Sequence, residues 1–131
     1  MFNKKSAAHL SIGARGEKSA QEYLKKCGYK ILAINFTNPN GRRLGEIDII
    51  AKDKEEIVFV EVKTRNILSS GSGLPEENIT TAKLYKLNKV AYFYLNKNNL
   101  LDSSYRFDAI TVLADLEKNT ANLHHLKNIF V

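Results

Sequence analysis

The chain has one cysteine, Cys27, which excludes an intrachain disulfide and suits a reducing compartment. With so little cysteine there is also no Cys/His spacing of the zinc-binding kind. No stretch approaches the ~20 apolar residues of a membrane span, and the opening residues, MFNKKSAAHLSIG, hold no apolar run of signal-peptide length. A cytoplasmic protein without a membrane partner is therefore expected. Glycine-rich phosphate loops, nucleophilic serine motifs and internal repeats are missing as well. Low complexity is confined to Asn66 to Asn78, NILSSGSGLPEEN, which holds little to bury and is expected to be a mobile loop, either a lid or a plain linker.

What the chain does have is an ordinary globular composition, 44% hydrophobic and 26% charged over 131 residues, enough for one core and too little for two. Residues 1–131 are accordingly expected to form a single domain. The net charge is +6, and its excess lies in the first half: up to Arg65 there are 13 Lys and Arg against 8 Asp and Glu, and beyond it 7 against 6. That balance favours a polyanionic partner, nucleic acid first.

The acids are not scattered. Gly45 to Arg65, GEIDIIAKDKEEIVFVEVKTR, reads as two strands around the polar break Asp53-Lys54-Glu55-Glu56. If that loop has even length, antiparallel pairing puts Ile47, Ile49, Ala51, Val58, Val60 and Val62 on one face. The other face then carries Glu46, Asp48, Glu61 and Lys63, with Ile50 and Phe59 nearer the turn. Three carboxylates and an ammonium build a poor core but can hold a hard divalent cation, Mg²⁺ or Mn²⁺, with waters and a phosphate completing its shell. Lys63 adds positive charge where a phosphoryl transition state gathers negative charge, so the pattern fits phosphodiester hydrolysis. The bland reading is a surface ion-pair patch, Asp48 with Lys63.

The flanking segments read in order. A helix is expected from Ser6 or Ser11 to Cys27, with Ala20, Tyr23, Leu24 and Cys27 as its buried stripe and Gly28 as its stop. Glu17 sits on that stripe, either as a first-turn charge or as a group reaching into a site. Tyr29 to Phe36 reads as a strand, followed by the turn-rich Thr37 to Leu44, whose Arg42 and Arg43 are either solvated or grip phosphates beside the acids. A second helix is expected from Pro75 to about Asn96 or Asn98, burying Leu84, Leu87, Ala91 and Tyr94 or Leu95. Lys83, Lys86 and Lys89 line another face as a solvated or phosphate-contacting row. Tyr105 to Leu113 and Thr120 to Leu126 read as strands joined by the turn Glu117-Lys118-Asn119. His124 and His125, adjacent on a strand, point to opposite faces and are read as surface or half-buried residues, not as metal ligands.

Asp48, followed thirteen residues on by Glu61-Val62-Lys63, resembles the PD-(D/E)XK motif of restriction-endonuclease-like nucleases and archaeal Holliday junction resolvases. Ile47 stands where the motif's name has proline. More narrowly, Gly16-Glu17, Ala20, Tyr23-Leu24, Gly28-Tyr29, Asn35-Phe36, Gly45-Glu46-Ile47-Asp48, Phe59 to Arg65, Lys83, Ala91, Tyr94-Leu95 and Arg106-Phe107-Asp108 resemble the YraN-like bacterial family. The resemblance implies an α/β, restriction-endonuclease-like three-layer fold, a central mixed sheet of about five strands flanked by helices. It implies a metal held by Asp48 and Glu61, with Glu17 as a further ligand directly or through water, and Lys63 as the catalytic lysine. Arg42, Arg43, Arg65 and Lys83 are the expected nucleic-acid contacts, with DNA as the expected partner and a homodimer the state that a junction resolvase would need. The alternatives are a non-catalytic nucleic-acid-binding scaffold with the same fold and an interaction protein without nucleic acid.

Overall fold

A computed structural model of the protein describes residues 12–66 and 80–129. Helix α1 (Ile12–Lys26) leads into strand β1 (Lys30–Thr37), and a short 3₁₀ turn (Arg42–Leu44) precedes β2 (Glu46–Asp53) and β3 (Glu56–Asn66). Helix α2 (Thr81–Lys97), β4 (Tyr105–Asp115) and β5 (Thr120–Leu126) complete the chain. The five strands form one mixed sheet in the order β1-β2-β3-β4-β5, antiparallel everywhere except where β3 meets β4. The parallel pair needs a crossover, and α2 supplies it.

Two apolar clusters, one on each face of the sheet, make the fold three-layered. Ala20 and Leu24 of α1 pack on Ile49, Ala51, Val58, Val60, Val62, Ile110 and Val112. Leu87, Val90, Ala91, Tyr94 and Leu95 of α2 pack on Ile47, Ile50, Ile57, Phe59 and Phe107. Strands β2, β3 and β4 are thus covered on both sides, which is why they read as nearly continuous apolar runs. Among the described residues no helix is long and apolar enough to cross a membrane.

The expected elements are present with shifted ends. Helix α1 closes with Gly28 at φ 94°, where the Gly28 N–H bonds Lys25 O and the Tyr29 N–H reaches back to Leu24 O. This left-handed closure favours glycine. Cys27, expected on the buried stripe, lies past the last turn and is exposed. Helix α2 is described from Thr81, where the Thr80 side chain accepts the Lys83 N–H at 3.1 Å as an N-cap; the expected start at Pro75 falls outside the described residues. Ser6 to Ser11, Pro75, Glu76, Glu77 and the Asn66–Asn78 loop beyond Asn66 itself lie outside the described residues.

The β2–β3 turn is two residues, Lys54 and Glu55, so the even-length register holds: Ile49 faces Val60, Ile50 faces Phe59 and Asp53 faces Glu56. One residue departs from the alternation. Ile47, expected beside Ile49 and Ala51, joins the opposite cluster under α2. The β2–β3 ladder stops at Ile49, and beyond it the Val62 N–H donates to the Asp48 carboxylate, not to backbone, at 2.7 Å. In β1, Asn35 adopts φ 50° between the pairs Ile34–Ile49 and Phe36–Ile47, so the neighbouring strand breaks its pleat at the same level.

Helix α1 approaches β3 closely at Gly16, where an added Cβ would overlap the Thr64 hydroxyl. Gly16→Ala is expected to lower stability by ~1–3 kcal/mol through overpacking, despite a helix-propensity gain of ~1 kcal/mol. Urea unfolding reads this directly; an unchanged or higher midpoint would mean that α1 and β3 are not so tightly apposed.

Candidate metal centre

The site forms where β2 and β3 part. Asp48 is positioned by its bond to the Val62 N–H, a strand donor that the interrupted ladder leaves for a side chain. Burial pushes the Asp48 carboxyl up to about 7, and the charges of Glu61, Glu17 and Glu46 push the same way against the Val62 bond. Glu17, on the first helix, is also raised, by burial first and then by Glu46 and Glu61, with Arg42 acting oppositely. Four carboxylates from α1, β2 and β3 therefore share one electrostatic neighbourhood, in which the charges of Glu46 and Glu61 oppose ionisation of Asp48 and Glu17.

Cations meet this cluster from two sides. Lys83, in the first turn of α2, places Nζ 3.2 Å from Glu61 Oε1. Arg42, from the 3₁₀ turn, bonds Glu46 Oε2 at 3.1 Å while its side chain stays 77% exposed. Lys83, read from the sequence as part of a solvated or phosphate-contacting lysine row, turns toward an acid of the site. Lys63 lies two residues from Glu61 on β3 and so on the same side of that strand. It is half-buried and makes no side-chain hydrogen bond or ion pair among the described residues. Arg65, two residues further, is half-buried, and Arg43 is exposed on the turn.

At this end of β3 the buried Glu61 Oε2 and Arg65 Nε have no hydrogen-bond partner among the described residues. An orphaned carboxylate oxygen wants a cation, and an orphaned guanidinium N–H wants an anion. Among the described residues no three Asp, Glu, His or Cys side chains stand close enough to cage a metal by themselves. The donor set suits a hard cation that takes two carboxylates and leaves the rest of its shell to water and phosphate. Asp48 and Glu61 are the oxygens available for this, with Glu17 within electrostatic reach.

A profile of the uncharacterised protein family UPF0102 matches residues 16–112, from the Gly16–Glu17 pair through the acids to the middle of β4. The chain belongs to this family. Relatives carrying the family's name include proteins from Clostridium botulinum, 45% identical over 91% of this chain and 93% of theirs, and from Persephonella marina, 43% identical over 90% and 91%. A third, from Caldicellulosiruptor saccharolyticus, is 41% identical over 91% of this chain and 96% of its own. Family membership agrees with the YraN-like resemblance read from the motifs, and the matched span contains every expected site residue.

A second polar centre was not anticipated. Asp108 is fully buried; Arg106 donates to it from Nε at 2.9 Å, the Asn128 N–H donates at 2.9 Å, and His125 Nε2 lies 2.8 Å away. Arg106 also reaches Glu56 at 2.7 Å and the Tyr29 hydroxyl at 2.8 Å, and His125 Nδ1 lies 3.0 Å from the Tyr23 hydroxyl. The network ties α1, β4, β5 and the β2–β3 turn together. Its sequence signal was an acid inside an otherwise apolar strand, YRFDAITVL, with an arginine at the period-two position. His125 is thus nearly buried and held by Asp108, while His124 is exposed.

Proposed function

We propose that this chain is a metal-dependent nuclease of the PD-(D/E)XK kind, hydrolysing phosphodiester bonds in DNA, with branched or otherwise structured DNA as the first substrate class to test. The observation that carries the reading is the pairing of an orphaned, buried Glu61 oxygen with Asp48, one strand away, beside an uncommitted lysine. Asp48 and Glu61 would hold Mg²⁺ or Mn²⁺, and Glu17 would join directly or through water. The cation would supply Lewis acidity toward the scissile phosphate. Lys63 Nζ would orient the attacking water and take part in its deprotonation, and its charge would offset the negative charge gathering on phosphorus. Arg65, Arg43 and Arg42 would grip flanking phosphates. Cytoplasmic residence and, for a four-way junction, a homodimer with two active sites belong to the same reading. A panel of linear, flapped and four-way-junction DNAs with and without Mg²⁺ or Mn²⁺ tests it; cleavage dependent on the metal supports the reading, and uncut substrates throughout would sink it.

The Lys83–Glu61 pair favours a second reading, a non-catalytic nucleic-acid-binding scaffold in which the ammonium permanently takes the cation's place. Lys83→Ala separates the two. Under the nuclease reading, the wild type binds Mn²⁺, and the variant binds it roughly tenfold more tightly, as expected when ~1.4 kcal/mol of competition is removed. Electron paramagnetic resonance of free Mn²⁺ measures both; a wild type that binds none would favour the scaffold.

A further inference from the structure

Outside the acidic centre, a concavity of about 620 Å³ runs along α2. Its lining is unlike a protein core and unlike the rest of the surface. Tyr85 and Tyr92 stand 61% and 60% exposed, and Tyr105 is 47% exposed at the start of β4. Between the helical tyrosines lie Asn88, Lys89 and Asn96, and residues 38–40 close the opposite wall. Positions 85, 88, 89, 92 and 96 recur at three and four residues, so they share one helix face, whereas the core stripe of α2 is Leu87, Val90, Ala91 and Tyr94. Single exposed aromatics are ordinary, but three around one groove are not.

We propose that this groove binds unpaired nucleotides, the tyrosine rings stacking on bases while the asparagine amides meet base edges. The inference rests on the nucleic-acid reading above and adds to it a site for a single-stranded segment. Charge selects this occupant: among the described residues no carboxylate lines the groove, Lys89 lies within it with Nζ 4.7 Å from the Tyr85 ring centre, and Lys86 is exposed beside it. Aromatic faces alternating with amides and a cation are the elements that bind single strands with little sequence preference. The stripe from Tyr85 to Asn96 covers ~16 Å of helix, room for about three to five nucleotides.

The test is fluorescence anisotropy in EDTA, which removes divalent metal and with it any cleavage, using a blunt duplex and the same duplex with a six-thymidine tail. The wild type is expected to bind the tailed DNA about tenfold more tightly or better, given the usual effect of base stacking on an aromatic ring. Tyr85→Ala/Tyr92→Ala is expected to lose that advantage while keeping its affinity for blunt duplex, and Tyr92→Phe to retain it. Because the chain has no tryptophan, its tyrosine emission should fall as oligothymidylate is added, and should fall less in the double variant. Equal binding of tailed and blunt DNA by the wild type, or a tail preference unchanged in the double variant, overturns the groove assignment and leaves the nuclease reading standing. Wild-type protein that binds neither DNA overturns both.

Discussion

Asp48→Ala and Lys63→Ala are each expected to reduce metal-dependent cleavage by ~10²–10³-fold or more, the usual cost of removing one group aimed at transition-state charge. The two losses have different origins. Without Asp48, the Val62 N–H loses its acceptor and the cluster loses the acid whose carboxyl is pushed highest, so the cation binds poorly. Without Lys63, the carboxylates remain as they are and only the ammonium beside them goes. Cleavage at rising Mg²⁺ therefore distinguishes the variants: high metal should partly restore Asp48→Ala and leave Lys63→Ala unaffected. Binding of DNA in EDTA should survive in both, because the arginines of the rim and β3 are untouched. Full activity in either variant would remove that residue from the chemistry.

The second large effect is on stability. Asp108→Ala is expected to cost ~3–5 kcal/mol, because it takes the central carboxylate from Arg106 and His125 and leaves buried charge uncompensated. Burial alone would raise the Asp108 pKa, but the bonds from His125, Arg106 and the Asn128 N–H outweigh it and hold the carboxyl below its ordinary value of 3.8. The sign follows: an unfolded chain takes up this proton first as pH falls. The network's contribution is therefore complete above about pH 4 and is lost progressively below the ordinary value of 3.8. Arg106 stays charged throughout; burial disfavours its charge, yet Asp108 and Glu56 lift its pKa above the ordinary value. Urea unfolding between pH 2.5 and 7 should show a steep acid limb in the wild type and a shallower one in Asp108→Asn. Parallel curves would mean that the ion pairs around Asp108 carry no net stability.

Much of this was legible because local pattern and tertiary demand coincide. The alternation from Ile49 to Asp53 and Glu56 to Val62, the apolar stripe of α2 and the glycine stop of α1 each specify an element and its buried side. The acids could be grouped because the β2–β3 turn has an even number of residues, which puts Asp48 and Glu61 at the same level. What escaped was non-local. Ile47 crosses to the other core because the ladder breaks at Asp48, and a side chain substituting for a backbone acceptor leaves no trace in periodicity. Lys83 faces Glu61 across the packing of α2 on β3, a contact between residues 22 positions apart that helical periodicity alone does not show. His125 read only as a surface or half-buried residue, since its partners Asp108 and Tyr23 lie 17 and 102 positions away. Gly16 offered only a residue type until Thr64 was found against it.

The most direct measurement is calorimetric titration of the wild type, Asp48→Asn and Glu61→Gln with Mn²⁺ at neutral pH. Removing one negative charge from either position while keeping its shape should abolish cation uptake, whereas the wild type should bind at least one ion. Three superimposable titrations, or a wild type that takes up no metal, would contradict the claim that these two strands and the first helix turn their acids toward one shared cation.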